Sequence, residues 1–247
     1  MIAANSRGNY HFLRGGTAFS GAVVADEGYA IVHATLLNPI PVAEGFDFIA
    51  THLETQGRPV QAVCSIELRS PRPLSAADFG AFNNGVYLPA LNKHNLLIDG
   101  SGPMTRSNLA PEINPPATQV IYAFSYTVPS PEPRTTPDFV LSGAADIKGS
   151  DIIRVGETSD DAMREKATYV MGELQERMNE LKLKWDDCTS FNVYTVQNIF
   201  SYMRDVFLEP IGRAQWEGIR WYFTRAPIQG LEFEADARRT LREIAIP

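Results

Sequence analysis

The chain has 247 residues, 44% of them hydrophobic and 21% charged, enough to bury a real core in one large domain or two of about 120 residues each. Its formal net charge of -7 excludes a nucleic-acid backbone as the main partner, since such sites need basic stripes. No apolar run is long enough to span a membrane, the start "MIAANSRGNYHFLRGG" lacks the apolar core of a signal peptide, and Cys64 and Cys188 read as separate buried thiols, so the expected compartment is the reducing cytoplasm.

In chain order, the first half predicts a strand over 29–37 ("YAIVHATLL") and a helix over 42–57. A strand over 61–68, a helix over 75–93 and a strand over 118–128 follow. Prolines 129, 131, 133 and 137 then rule out helix or central strand, so residues 129–138 read as an extended linker between a domain at 1–128 and a second at 139–247. The second half predicts a strand over 138–146, a helix over 159–183, a strand over 189–196 and a helix over 198–208. Strands near 218–224 and 230–236 follow, and the charges of "ARRTLREI" suit a solvated terminal helix. The long helix carries Met163, Ala167, Val170, Met171, Leu174, Met178 and Leu181 at three- and four-residue spacing, with Thr158 and Asp161 spaced as a capping box. The same alternation occurs twice, which predicts an α+β tandem duplication, each half a mixed sheet packed by two helices.

Motifs for metal or nucleotide binding are missing: no CxxC, HExxH, GxxxxGK[ST] or GxGxxG occurs, and no GxSxG elbow suggests a serine hydrolase. What remains is a few charges in unusual places. Arg106 stands alone in "GSGPMTRSNLAP", just where a strand is about to begin; it is either a solvated loop cation or an anion holder. In "GLEFEAD", Glu232 and Glu234 alternate with Leu231 and Phe233, placing both carboxylates on one strand face. Glu67 and Arg69 share a face in the same way and are spaced to pair with each other. His33 lies within a strand-like run, as a core or cleft histidine.

These stretches resemble the RidA/YjgF family of enamine/imine deaminases. "AFSGAVVADEGYAIVHATL" is similar to the family's first hairpin: Phe19-Ser20 match its aromatic-Ser opening, while His33-Ala34 stand where the family has Ser-Gly. "DFGAFNNGVY" resembles its second helix, with Asn83 on the active-site asparagine, and "PMTRSN" puts Arg106 on the arginine that grips the substrate carboxylate. The second half resembles the family again. "FVLSGAAD" carries the missing Ser142-Gly143, and "TRAPIQGLEFEAD" ends in the closing strand, with Glu234 on the glutamate that positions water. Each repeat keeps the piece that the other lacks.

As a whole the tandem is similar to 2-aminomuconate deaminases of the 2-amino-5-chloromuconate type, which belong to nitroaromatic catabolism. The resemblance implies a chorismate-mutase-like fold in each half and hydrolysis of an enamine through its imine, with no metal or organic cofactor. It also implies a closed homo-oligomer, most simply a homotrimer, acting on a small dicarboxylate. A general enamine/imine deaminase and a non-catalytic binding relative are the alternatives. In the implied site Glu234, Arg106 and His33 are catalytic, with Phe19, Asn83, Ser142 and Gly143 beside the substrate. Glu67, Arg69 and Arg225 are further substrate contacts, the two arginines as candidates for a second carboxylate.

Overall fold

The computed structural model describes residues 1–130, 132 and 135–247; Pro131 and Pro133 of the expected linker lie outside these. Two sheets organise the α+β chain. The first contains β1 (Ile2–Asn5), β2 (Tyr10–Leu13) and β3 (Ala22–Ala25), which continue into strands of the second half. The second is built on β4 (Tyr29–Pro41), β5 (Val63–Arg69), β6 (Thr105–Pro111) and β7 (Val120–Pro129). The later strands are β8 (Phe139–Leu141), β9 (Ala144–Ala145), the small hairpin β10 (Ile147–Lys148) and β11 (Asp151–Ile152), and β12 (Ser190–Tyr194). The chain closes with β13 (Arg220–Tyr222), β14 (Thr224–Arg225), β15 (Glu234–Arg239) and β16 (Arg242–Ile246). The sheet orders are β1-β2-β3-β8-β15-β12-β13, with β9 also on β15, and β14-β6-β5-β7-β4-β16.

The succession β4-β7-β5-β6 in one sheet has its counterpart β8-β15-β12-β13 in the other, with the last pair parallel in each case. The sheets also trade strands: β1–β3 extend the sheet of the second half, while β14 and β16 flank that of the first. The halves are therefore interlocked rather than merely tethered.

Alternation along the strands sorts the side chains between two faces. Ala235 and Ala237 of β15 pack beneath α4 (Asp160–Glu180) with Met163, Val170 and Leu174. Ile66 and Leu68 of β5 pack on the other side with Phe46 and Ile49 of α1 (Val42–Thr55). The opposite faces carry Glu234, Asp236 and Arg238 on β15 and Ser65, Glu67 and Arg69 on β5. These rows meet between the sheets, where Arg238 reaches Glu67 at 3.4 Å. Elsewhere the interlayer is apolar, with Phe12, Val23 and Val140 against Ile31 and Cys64. The order is helix, sheet, sheet, helix, with a charged stripe buried at its centre.

Four expectations are corrected. The helix over 75–93 is interrupted: α2 (Ala76–Phe82) opens into a π turn at Asn83–Tyr87 before α3 (Leu88–Lys93). Pro89 has no N–H to give to the Gly85 carbonyl, so the ladder must widen there. The second half repeats this, with a π turn at Met203–Leu208 ahead of Pro210, so the helix expected from 198 begins late. The cap of α4 is Ser159, whose hydroxyl accepts from the Ala162 N–H at 3.4 Å, not Thr158. Finally, "ARRTLREI" is strand, bend and strand rather than helix: its apolar residues keep three- and four-residue spacing, but the backbone is taken up by ladders with β8 and β12 and then with β4, and Arg238 is buried.

Candidate active site

Arg106 pairs with Ile66 across the parallel β5–β6 ladder, near the end of the sheet. Its guanidinium carbon lies 4.4 Å from the centre of the Phe19 ring, 4.6 Å from Tyr87 and 5.3 Å from Phe79, so aromatic faces enclose the cation. Nη1 donates to Asn83 Oδ1 at 2.7 Å, and the π turn is what delivers Asn83 there. Nη2 is buried and has no hydrogen-bond partner among the described residues. A buried guanidinium donor left open is costly unless something else fills it.

The second half closes over this arginine through Ser142-Gly143, the break between β8 and β9. The Arg106 N–H donates to Ser142 Oγ at 2.8 Å, that hydroxyl donates to the Ser20 carbonyl at 2.7 Å, and the Gly143 N–H donates to the Arg106 carbonyl at 3.2 Å. Arg177 of α4 donates from Nη1 to the Ser142 carbonyl at 2.7 Å. Glu234, the first residue of β15, is buried and faces the same space. Burial first, and the neighbouring Asp236 carboxylate second, push the Glu234 carboxyl up to about 8, against the pull of Arg106, Arg69 and Arg177. Near neutral pH it is mostly a neutral acid.

Arg106, Gly143, Arg177 and Glu234 wall a cavity of about 200 Å³, lined also by Phe19, Asn108, Ile228 and Leu231. That is below the range typical of drug-sized ligands and suits a small metabolite. The arrangement offers a guanidinium whose Nη2 has no hydrogen-bond partner among the described residues, beside a protonated carboxyl. It can hold an anion and pass a proton to something beside it.

Phe19, Asn83, Arg106, Ser142, Gly143 and Glu234 thus converge within one chain. The other expected site residues do not. His33 lies on β4, three strands from β6 and so about 14 Å along the sheet. It bonds Ser125 at 3.0 Å and stands 3.7 Å from Glu67. Burial and then the Arg238 charge pull its pKa down to about 4, so it is neutral at physiological pH. Glu67 pairs with Arg69 at 3.3 Å as well as with Arg238, in the stripe between the sheets. Arg69 stacks on Tyr122 and borders a separate hollow of about 480 Å³. Arg225 is half-exposed and ion-paired with Glu112 at 2.6 Å. Glu232 precedes β15 and accepts from Gln197 at 3.1 Å, so it does not share a strand face with Glu234. Arg177 escaped the sequence reading because it flanks the apolar stripe of α4, where a charged residue reads as ordinary surface.

A chorismatase crystal structure superposes on the chain with a TM-score of 0.52 and 11% identity, covering 89% of this chain and 77% of the other, which establishes a shared fold. The chain is 34% identical over 247 residues to 2-amino-5-chloromuconate deaminase from Comamonas testosteroni, spanning 98% of this chain and 97% of that relative. The family model described as 2-aminomuconate deaminase CnbZ matches residues 2–244. The chain therefore belongs to the CnbZ family of 2-aminomuconate deaminases.

Proposed function

We propose that the protein hydrolyses 2-aminomuconate, or its 5-chloro derivative, to ammonia and the 2-oxo enedioate, whose enol tautomer is the 2-hydroxy dienoate. The observation that carries this reading is the juxtaposition of the open Arg106 Nη2 and the proton-bearing Glu234 in one buried cavity, in a chain of this family. Arg106 holds the carboxylate next to the amino-bearing carbon, and aromatic walls flank the flat conjugated chain. Glu234 gives its proton to an enamine carbon, so that the C–N bond becomes an iminium and Glu234 a carboxylate. A dianionic substrate favours the protonated form before this transfer. The carboxylate then takes a proton from water as its oxygen bonds to the iminium carbon. The same group returns the proton to the amine, ammonia leaves, and the carbinol proton regenerates neutral Glu234. One acid–base group placed in this way contributes about 10²- to 10⁴-fold. The iminium is already electrophilic, so the reaction as written needs no cofactor.

The same reading takes the halves, 1–128 and 139–247 around the 129–138 connection, as RidA/YjgF-like units in a cytoplasmic enzyme. It takes the assembly as a homotrimer; support comes from Phe200, Trp221 and Phe223, exposed near the open edge strand β13. The decisive experiment mixes freshly generated 2-aminomuconate with the protein and follows ammonia together with the dienoate absorbance. Stoichiometric release of both at a protein-dependent rate is expected. No acceleration over the spontaneous reaction would refute the assignment.

A further inference from the structure

We infer that Arg177 is the second carboxylate clamp of this cavity, so that the site selects dianions with a carboxylate at each end. The identity of the substrate rests on the deaminase reading above; the charge preference rests on the geometry alone.

Three observations lead here. First, Arg177 lines the cavity with only Nη1 engaged, on the Ser142 carbonyl, and forms no ion pair with a described carboxylate. Arg69 and Arg238, the buried arginines of the neighbouring stripe, are both matched, by Glu67 and by Glu67 with Glu243. Second, Arg106 and Arg177 are bolted to the same dipeptide. Ser142 accepts from the Arg106 backbone and from the Arg177 side chain, and Gly143 donates to the Arg106 carbonyl. The Arg106 main chain and the Arg177 guanidinium are thus tied to one dipeptide, while Asn83 holds the Arg106 guanidinium. Third, the wall has another open donor. Asn108 Nδ2 is buried without a hydrogen-bond partner among the described residues, while its Oδ1 accepts from Ser70 at 2.7 Å.

The charge balance agrees. Glu234 is mostly neutral near pH 7, since burial pushes its carboxyl up to about 8. Glu173, one turn before Arg177 on α4, is the other carboxylate on the wall; it acts on Arg177 through space, with no direct ion pair between them among the described residues. Arg106 and Arg177 bring two positive charges to this wall against one negative charge from Glu173, which leaves a net positive cavity in an acidic protein. One monoanion would leave one of them open; a dicarboxylate occupies both.

Calorimetry with muconate and with sorbate tests this directly, because the two share a six-carbon diene and differ by one carboxylate. Wild type should bind muconate at least about tenfold more tightly than sorbate. Arg177→Gln should weaken muconate by about 10- to 150-fold, the span of one charge-assisted contact, while leaving sorbate unchanged. Arg177→Lys should recover part of the loss. Equal affinity of wild type for the two ligands would overturn the inference, whatever any variant does. So would an equal loss for both ligands in folded Arg177→Gln, which would mark Arg177 as a prop for Ser142. Turnover of 2-aminomuconate without this discrimination would sink the clamp and spare the deaminase; discrimination without turnover would do the reverse.

Discussion

Gly143 and Glu234 are in such close contact that a Cβ added to the glycine would overlap the carboxylate, standing 2.8 Å from Glu234 Cδ. The contact is made across the β9–β15 pairing, between a residue at a strand break and the first residue of its partner. Absence of a side chain at 143 is what lets the acid point into the cavity. Gly143→Ala should therefore displace the carboxyl and lower kcat by about 10²-fold, with a stability loss of about 1–3 kcal/mol from overpacking. Single-turnover kinetics and urea denaturation measure the two effects separately; an alanine variant with parental kcat would show that Glu234 needs no such placement.

The raised pKa of Glu234 has consequences of definite sign. A carboxyl at about 8 in the folded protein and 4.5 ordinarily binds more protons folded than unfolded across that interval. Its contribution to stability is complete below pH 4.5 and is lost as pH rises toward about 8. Glu234→Gln should flatten that decline, seen as urea midpoints varying less with pH than those of the parent. In the free enzyme kcat/KM should fall above about pH 8 as the acid ionises. Glu234→Gln should lose about 10²-fold or more in kcat and lose that alkaline limb too. A parental alkaline limb in the glutamine variant would assign it to another group.

Arg106→Lys keeps the charge but loses the fork that addresses Asn83 and a carboxylate together. The expected outcome is a KM raised by roughly 10- to 100-fold for aminomuconate, with a smaller fall in kcat from looser orientation. Unchanged KM in a folded lysine variant would remove Arg106 from substrate binding.

Much of this site was legible because its parts lie in short, ordered motifs. Phe19, Asn83, Arg106, Ser142, Gly143 and Glu234 each sit in a stretch with its own local signature, and complementary loss between the repeats joined them. The helices and strands followed from periodicity, the long α4 most clearly. What stayed hidden depends on what packs over an element. Arg177 lies at the edge of the apolar stripe of α4, and nothing in the helix tells that Ser142 will arrive above it. The terminal strands were masked by a run of charges, since Arg238 is buried only because Glu67 waits on the other sheet. Pro89 carried a signal for the break at Asn83, but the expected helix ran through it to residue 93.

Metal removal should leave catalysis untouched. Among the described residues no three histidine, cysteine or acidic side chains cluster so as to hold an ion, and the chemistry proposed runs on a carboxyl proton. Dialysis against a strong chelator is expected to preserve kcat. A large loss restored by one divalent cation would redirect attention to ligands brought together by assembly.

The stripe between the sheets supplies the last prediction. Glu67 is buried between Arg69 at 3.3 Å, Arg238 at 3.4 Å and His33 at 3.7 Å, so it offsets two cations between the sheets. Glu67→Gln keeps its size and some hydrogen bonding but leaves Arg69 without its carboxylate and Arg238 with Glu243 in contact and Asp236 nearby. Removing one partner of a buried pair costs about 3–5 kcal/mol, and the remaining Glu243 contact puts the expected loss near the lower end. Replacement of His33 by Gln preserves a partner for Ser125 and removes the imidazole. Because that imidazole is held neutral down to about pH 4, its loss should leave the pH–rate profile between pH 5 and 8 unaltered. The two substitutions thus separate support from chemistry: urea denaturation should register the first strongly, and kcat against pH should register neither. Disappearance of an acidic limb near pH 6.5 in His33→Gln would instead return the histidine to the proton path.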